Sequence, residues 1–219
     1  MKDREDMEEM KIADADAGTM NTAAGLVCCP HDTADNNAAA ADTASPPREI
    51  KHRWVWLAAV TAVGAAIDIG TKRLALANLN YGEPVPVIGD YLQWLLIYNK
   101  GMVFGLNPSG LLPWLPPHIF FIIFMTAAIS FLLFYYKALK KDEILMHIGL
   151  MLVMPGAIGN LHDRIIYGDR GVVDFIRMGI PPDNYWFIYN IADVFVTIGV
   201  AVMLVNFGIE AFCKKEASR

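Results

Sequence analysis

Four long apolar stretches constrain this chain more than any other feature of its sequence. They lie at about residues 54–76, 118–136, 144–166 and 188–212, and each is close to the roughly 20 residues that a helix needs to cross a bilayer. Of the 219 residues, 55% are hydrophobic and only 19% are charged, which is too few charges for an ordinary soluble domain. The sequence therefore predicts an all-α membrane protein with four transmembrane helices.

The distribution of Lys and Arg predicts how these helices are oriented. Cations lie before the first stretch, between the second and third, and after the fourth: Arg48, Lys51, Arg53, Lys137, Lys140, Lys141, Lys214, Lys215 and Arg219. Short cytoplasmic segments carry an excess of Lys and Arg. Both chain ends are therefore expected in the cytoplasm, and the loops at about 78–117 and 167–186 on the extracytoplasmic side.

The first 50 residues differ in composition from the rest of the chain. They carry 4 basic and 11 acidic groups and almost no large apolar residues. Such a segment cannot bury enough surface to offset the entropy that ordering would cost. We expect a disordered acidic cytoplasmic tail over residues 1–50, a four-span membrane domain over 51–213 and a basic cytoplasmic C-terminus over 214–219.

The first outer loop contains a pattern typical of a strand. From Tyr91 to Asn99 the residues alternate with a period of two, and Gly, Pro and Asn punctuate the sequence on both sides. Trp94 and Tyr98 would share one face of this extended segment. The second outer loop, at about residues 167–186, is rich in Gly, Pro and Asp, and no strand is predicted there. The chain is thus predicted to have a small extracytoplasmic β-containing segment.

Seven carboxylates and amides are expected at a similar depth, near the outer membrane face. They are Asp68, Asn99, Asn160, Asp163, Asp174, Asn190 and Asp193, and only the second apolar stretch contributes none. In two of the helices an amide precedes a carboxylate by three residues, so that each pair shares one helix face. An ionisable group at membrane depth is a candidate functional residue by default. The sequence therefore predicts a functional site at this depth.

Two classes of function remain open on physical grounds alone. One is a proton- or cation-coupled transporter, and the other is an intramembrane hydrolase that uses paired aspartates. A transporter is expected to have inverted repeats and binding groups near the midplane, whereas this chain has no internal repeat and its polar groups lie toward one face. His147 and His162 lie on either side of Pro155 and form no ligand pattern with Cys, so no metal or other cofactor is expected.

Five short motifs, in order along the chain, resemble those of the lipoprotein signal peptidase (signal peptidase II) family. The members of this family are four-span aspartic proteases of bacterial inner membranes. The resemblance covers about residues 54–212. The motifs are Asp68-x-x-Thr71-Lys72, Asn99-x-Gly101-x-x-Phe104-Gly105, Gly159-Asn160-x-x-Asp163-Arg164, Val172-Val173-Asp174-Phe175 and Asn190-x-Ala192-Asp193. Three features depart from the family pattern: Met102 and Val103 in the turn, Pro155 in place of a glycine, and a longer segment between Arg164 and Asp174.

The resemblance implies the site residues and the substrate. Asp174 and Asp193 would form the catalytic dyad, and the residues that bind substrate or support the dyad would be Asp68, Lys72, Asn99, Gly101, Asn160, Asp163, Arg164 and Asn190. The substrate would be a prolipoprotein whose cysteine already carries diacylglycerol, cut on the amino side of that cysteine. The enzyme is expected to act as a monomer in membrane lipid. Two close carboxylates should share a proton, so that one acts as base and the other as acid without a metal.

Overall fold

The structure is a computed structural model that describes residues 50–101, 114–181 and 184–217. The predicted tail over residues 1–50 lies outside the described residues except for Ile50, and Met102 to Gly105 of the second motif also lie outside them. The described residues between 50 and 204 form one compact unit, which contains the sheet and the polar cluster described below. The described part of the second unit, residues 205–217, is helical.

Four helices form as the apolar stretches predicted. Their bounds are Arg53–Asn78 (α1), Pro117–Ala138 (α2), Ile144–Tyr167 (α3) and Ile191–Ala217 (α4). All four are long and apolar enough to cross a membrane. The predicted start of the fourth helix, at about residue 188, is wrong, because Ile188 and Tyr189 end a strand. Its predicted end, at about 212, is also too early, and the helix runs past the predicted boundary at residue 213.

Two loops contribute strands to one antiparallel sheet. The strands are Val85–Ile88 (β1), Leu92–Asn99 (β2), Val172–Ile180 (β3) and Asn184–Tyr189 (β4), in the spatial order β1-β2-β3-β4. The extended segment predicted near residues 91–99 is thus confirmed as β2. The second loop, where no strand was predicted, forms the β3–β4 hairpin. Residues 172–176 of β3 are all buried, so the segment lacks the apolar–polar alternation that identifies a half-buried strand.

Helix α3 is the most buried of the four helices, and small residues allow the others to approach it closely. A side chain at Gly156 would collide with the Ala192 carbonyl of α4, and one at Gly159 would collide with the Asp68 carboxylate of α1. Pro155, the departure noted in the sequence, lies within α3 and packs against Gly64. These contacts bring the polar side chains of α1, α3 and α4 together. The longer segment after Arg164 ends in a 3-10 turn, Gly168–Arg170, which leads into β3.

Candidate active site

Asp174 lies near the start of β3 and is 1% exposed. Its two carboxylate oxygens accept hydrogen bonds from different parts of the chain: Oδ2 from Asn99 Nδ2 at 3.0 Å, and Oδ1 from Asn190 Nδ2 at 2.6 Å. Burial, followed by the negative charge of Asp193, raises the pKa of Asp174 from 3.8 to about 7. This carboxyl therefore retains its proton up to near neutral pH.

Asp193 lies in the first turn of α4, where it forms a capping box with Asn190. The Asp193 backbone N–H donates to Asn190 Oδ1 at 3.0 Å, and the Asn190 backbone N–H donates to Asp193 Oδ2 at 3.1 Å. A helix N-terminus stabilises a nearby negative charge. The capping box also fixes the side chain of Asp193, so that Oδ1 is left to accept a bond of 3.0 Å from Asn160 Nδ2.

Lys72 lies on α1, buried at 1% exposure, and its ammonium group meets three oxygens. It lies 2.8 Å from Asp68 Oδ2, 3.0 Å from Asp163 Oδ2 and 3.0 Å from Asn160 Oδ1. Because an ammonium group is only a donor, the Asn160 amide must turn its oxygen toward Lys72. Its nitrogen is then left to face Asp193.

Asp68 and Asp163 each bond a backbone N–H beside the dyad. Asp68 Oδ1 accepts from the Ala192 N–H at 2.8 Å, which satisfies one of the unpaired amides at the start of α4. Asp163 Oδ2 accepts from the Val173 N–H at 3.0 Å. The two carboxylates on Lys72 thus hold the residues that immediately precede Asp193 and Asp174. The ion pair is therefore connected through hydrogen bonds to both members of the dyad.

Gly101 and Arg164 lie where β2 approaches α2 and α3. The Gly101 N–H donates to Asn99 Oδ1 at 2.9 Å, which orients the Asn99 amide so that its nitrogen reaches Asp174. Gly101 has a φ of 93°, and a Cβ there would collide with the Phe121 ring. The Arg164 guanidinium stacks on that ring, 4.1 Å from its centroid, and is buried. Its Nη1 has no hydrogen-bond partner among the described residues.

A cavity of about 200 Å³ contains both carboxylates of the dyad. Its polar lining includes Asn99, Asn160 and Arg164 beside Asp174 and Asp193, and its apolar lining comes from Phe121, Phe124, Met125 and Val172. The structure therefore places the ten predicted site residues in the lining of this cavity or directly beside it. The three α2 side chains were missed, because a search for polar groups cannot detect an apolar wall.

The histidines considered in the sequence have partners of their own. His147 Nε2 lies 3.0 Å from the Lys140 carbonyl oxygen, and His162 Nδ1 lies 3.3 Å from Asp163 Oδ1. Within residues 50–101, 114–181 and 184–217, no group of three or more His, Cys, Asp or Glu side chains is placed to hold a metal ion.

Comparison with known proteins identifies the family. Residues 60–209 match the family described as signal peptidase (SPase) II. A lipoprotein signal peptidase of Pseudomonas putida is 36% identical over 153 residues, which cover 69% of this chain and 83% of that protein. One of Clostridium tetani is 34% identical over 146 residues, covering 67% and 88% respectively.

Solved structures agree in fold. Two structures described as bacterial membrane enzymes each match this chain with a TM-score of 0.62 and 23% identity. The first match covers 74% of this chain and 97% of the solved chain, and the second covers 78% and 96%. At this identity the likeness shows the fold alone, a mostly helical membrane protein with a small antiparallel sheet. The match over 150 residues and the curated relatives go further: the chain belongs to the signal peptidase II family, as a multi-pass bacterial membrane protein and a peptidase.

Proposed function

We propose that this chain is an intramembrane aspartic endopeptidase that removes signal peptides from diacylglyceryl-modified prolipoproteins, cutting on the amino side of the lipidated cysteine. The observation that carries the proposal is the shared cavity of Asp174 and Asp193, in which the two carboxylates have different surroundings. Asp174 is buried, whereas Asp193 caps a helix N-terminus. The relatives named lipoprotein signal peptidase support the choice of substrate.

The different surroundings assign a role to each carboxylate. With a pKa of about 7, Asp174 is the acid, and it donates its proton to the carbonyl oxygen of the scissile peptide. Asp193, whose charge the N-terminus of α4 stabilises, is the base, and it takes a proton from the attacking water. The water oxygen bonds to the carbonyl carbon, so that the first step forms a neutral tetrahedral diol.

The second step returns both carboxyl groups to their starting state. Asp193 donates its newly acquired proton to the amide nitrogen as the carbon–nitrogen bond breaks, and Asp174 recovers a proton from one hydroxyl of the diol. The products are the signal peptide, with a new carboxyl group, and the mature lipoprotein, with a free cysteine amine. Arg164 Nη1 is available to donate a hydrogen bond to a substrate oxygen.

The distribution of cations supports an orientation for this site. With the Lys and Arg clusters in the cytoplasm, both chain ends are cytoplasmic, and the sheet and the dyad lie near the extracytoplasmic face of the cell (inner) membrane. We further propose that residues 1–50 are a disordered tail remote from the site and that residues 214–219 form a basic cytoplasmic end. We also propose that the enzyme acts as a monomer.

A pair of substrates tests the proposed function. The purified enzyme in lipid bilayers is given a diacylglyceryl-modified prolipoprotein and, separately, the same protein without the lipid. We expect cleavage of the lipidated form alone, and mass spectrometry should place the new amino terminus at the lipidated cysteine. Equal cleavage of both forms, or a cut at another bond, would contradict the proposed substrate. Proton-dependent solute uptake without any cleavage would instead support the transporter class.

A further inference from the structure

Two cavities adjoin Asp193. The smaller, of about 200 Å³, faces α2 and α3, and the larger, of about 540 Å³, faces β4 and α4. Asn99 and Asp193 line both of them. The rest of the larger cavity is lined by Ile188, Tyr189, Val194, Thr197 and Ile198. We refer to it as the α4 cavity and to the smaller one as the α2 cavity.

The α4 cavity follows one face of a membrane-spanning helix. Val194, Thr197 and Ile198 are three and four residues apart, so their side chains lie one above another on α4. The Thr197 hydroxyl donates to the Asp193 carbonyl oxygen at 2.8 Å, so its hydrogen is already used within the helix. Ile198 is 48% exposed on this apolar span, where the bilayer would surround it. The cavity is therefore an apolar space that begins at Asp193 and extends toward the hydrocarbon.

The α2 cavity has a different size and chemistry. About 200 Å³ is below the roughly 300–1,000 Å³ of most ligand pockets, whereas the α4 cavity lies within that range. Besides the dyad it contains the Asn160 amide and the Arg164 guanidinium, whose Nη1 has no acceptor among the described residues. Such a space is suited to a short side chain and a peptide carbonyl, and not to a long alkyl chain.

We propose that the α4 cavity binds the acyl chains of the diacylglyceryl group on the substrate cysteine, and that the α2 cavity binds the peptide residue on the amino side of the cut. This inference rests on the proposed function. The bond to be cut must lie at the carboxylates, and Asn99 and Asp193 belong to both cavities. The groups on the two sides of that bond therefore fall into different cavities. Both cavities have apolar walls, but only the α4 cavity has the volume that a long acyl chain requires.

The α4 cavity provides selectivity for position rather than binding free energy. An acyl chain that leaves the bilayer for an apolar cavity exchanges one hydrocarbon environment for another, so its transfer contributes little to affinity. What the cavity fixes is the distance between the glycerol group and Asp193. A chain placed along Val194 and Ile198 holds the peptide bond on the amino side of the cysteine at the dyad.

Photo-crosslinking tests this assignment directly. A prolipoprotein carrying a diazirine in the first carbons of an acyl chain is bound to the Asp174→Asn variant in bilayers and irradiated, and the labelled peptides are mapped by mass spectrometry. We expect labels between residues 191 and 200. Labels concentrated at Phe121 to Met125 would overturn the assignment, and so would labelling without preference among the four helices. Neither result would affect the proposed function, which cleavage of the same substrate by the unaltered enzyme tests separately.

A matched pair of substitutions on α4 gives a second readout. Val194→Trp fills the cavity, whereas Val200→Trp places the same bulk on an exposed position of α4 outside it. For a substrate with two 16-carbon chains, we expect Val194→Trp to lower kcat/KM at least fivefold, mainly through kcat, because the chain positions the peptide bond, and Val200→Trp to change it less than twofold. With two 6-carbon chains, the loss caused by Val194→Trp should be clearly smaller than with the 16-carbon chains. An equal loss for long and short chains in Val194→Trp would contradict the proposal.

Discussion

At the scale of single residues, the buried charges of the α1–α3 interface explain why the dyad is held as it is. Lys72 contacts two carboxylates and one amide oxygen, and these groups connect through hydrogen bonds to Asp174 and Asp193. Asp68 and Lys72 lie four residues apart on α1, a spacing that by itself would give a simple ion pair. The structure shows instead that Asp163 shares the ammonium group, so that loss of one carboxylate still leaves Lys72 paired.

The first prediction concerns this cluster. Lys72→Met leaves Asp68 and Asp163 buried without a cation, and removing one partner of a buried ion pair costs about 3–5 kcal/mol of stability. The double variant Lys72→Met with Asp68→Asn has the same net charge in the cluster as the unaltered protein and should recover part of that loss. Thermal unfolding in detergent measures both. If the double variant melts below the single variant, charge balance is not what stabilises the cluster.

The second prediction uses the pKa of Asp174. A folded-state pKa of about 7, above the ordinary 3.8, means that the fold favours the protonated form. The resulting stabilisation is fully present below about pH 4 and is lost as the pH rises through 7. The unaltered protein should therefore lose up to about 4 kcal/mol between pH 4 and 8 that Asp174→Asn does not lose.

Unfolding temperatures across this pH range provide the measurement. Asp142→Asn, which changes an exposed aspartate in the loop between α2 and α3, is the matched control and should keep the pH profile of the unaltered protein. A profile of Asp174→Asn that runs parallel to the unaltered protein from pH 4 to 8 would show that Asp174 does not titrate in this range.

At the scale of helices and strands, close packing between α1 and α3 sets the position of Asp68. The third prediction is that Gly159→Ala destabilises the protein by about 1–3 kcal/mol, because the added methyl group collides with the Asp68 carboxylate. Gly70→Ala on α1 adds the same group where no atom lies within 4 Å, and should be neutral or stabilising by up to about 1 kcal/mol. Chemical denaturation of both variants checks this, and equal stabilities would contradict it.

The sequence predicted the helices well and the second half of the sheet poorly. The helices could be predicted because a span needs a long apolar run, and β2 could be predicted because its residues alternate with a period of two. Strand β3 gave no such signal, since its first five residues are all buried, and the turn residues near Gly179 and Pro181 favoured a loop. Ile188 and Tyr189 looked like part of the apolar stretch that follows, although they end β4.

The candidate site was predicted to the extent that its residues are polar. Motif order placed the carboxylates and amides, but it carried no information about which amide faces which carboxylate. The turn of the Asn160 amide toward Lys72, and the capping box of Asn190 with Asp193, emerge only when the helices are packed. Phe121 and Phe124 could not be distinguished from other apolar residues of a span by sequence, because they differ from their neighbours only in facing a cavity.

At the scale of the whole molecule, the orientation in the membrane determines which side delivers the substrate. The fourth prediction is that a reporter inserted after Lys141 reports the cytoplasm and one inserted near Asn184 reports the exterior, because the Lys-rich loop remains inside. Paired reporters that are active on only one side of the membrane make the measurement. The reverse pattern would place the dyad at the cytoplasmic face and would contradict the proposed route of the substrate.

Asp174 and Asp193 are proposed to act together as one catalytic unit, and the turnover of a lipidated prolipoprotein by variants of these two residues tests this proposal. Asp174→Asn, Asp193→Asn and the double variant keep the size of the side chain but remove the acid, the base or both. Asp142→Asn serves as the control. We predict that each single change abolishes cleavage and that the double variant is little worse than either, since groups that act as a unit are non-additive. A few per cent of the unaltered rate corresponds to an activation barrier raised by only about 2 kcal/mol. A single variant that folds normally and cleaves faster than this would rule out the proposed dyad.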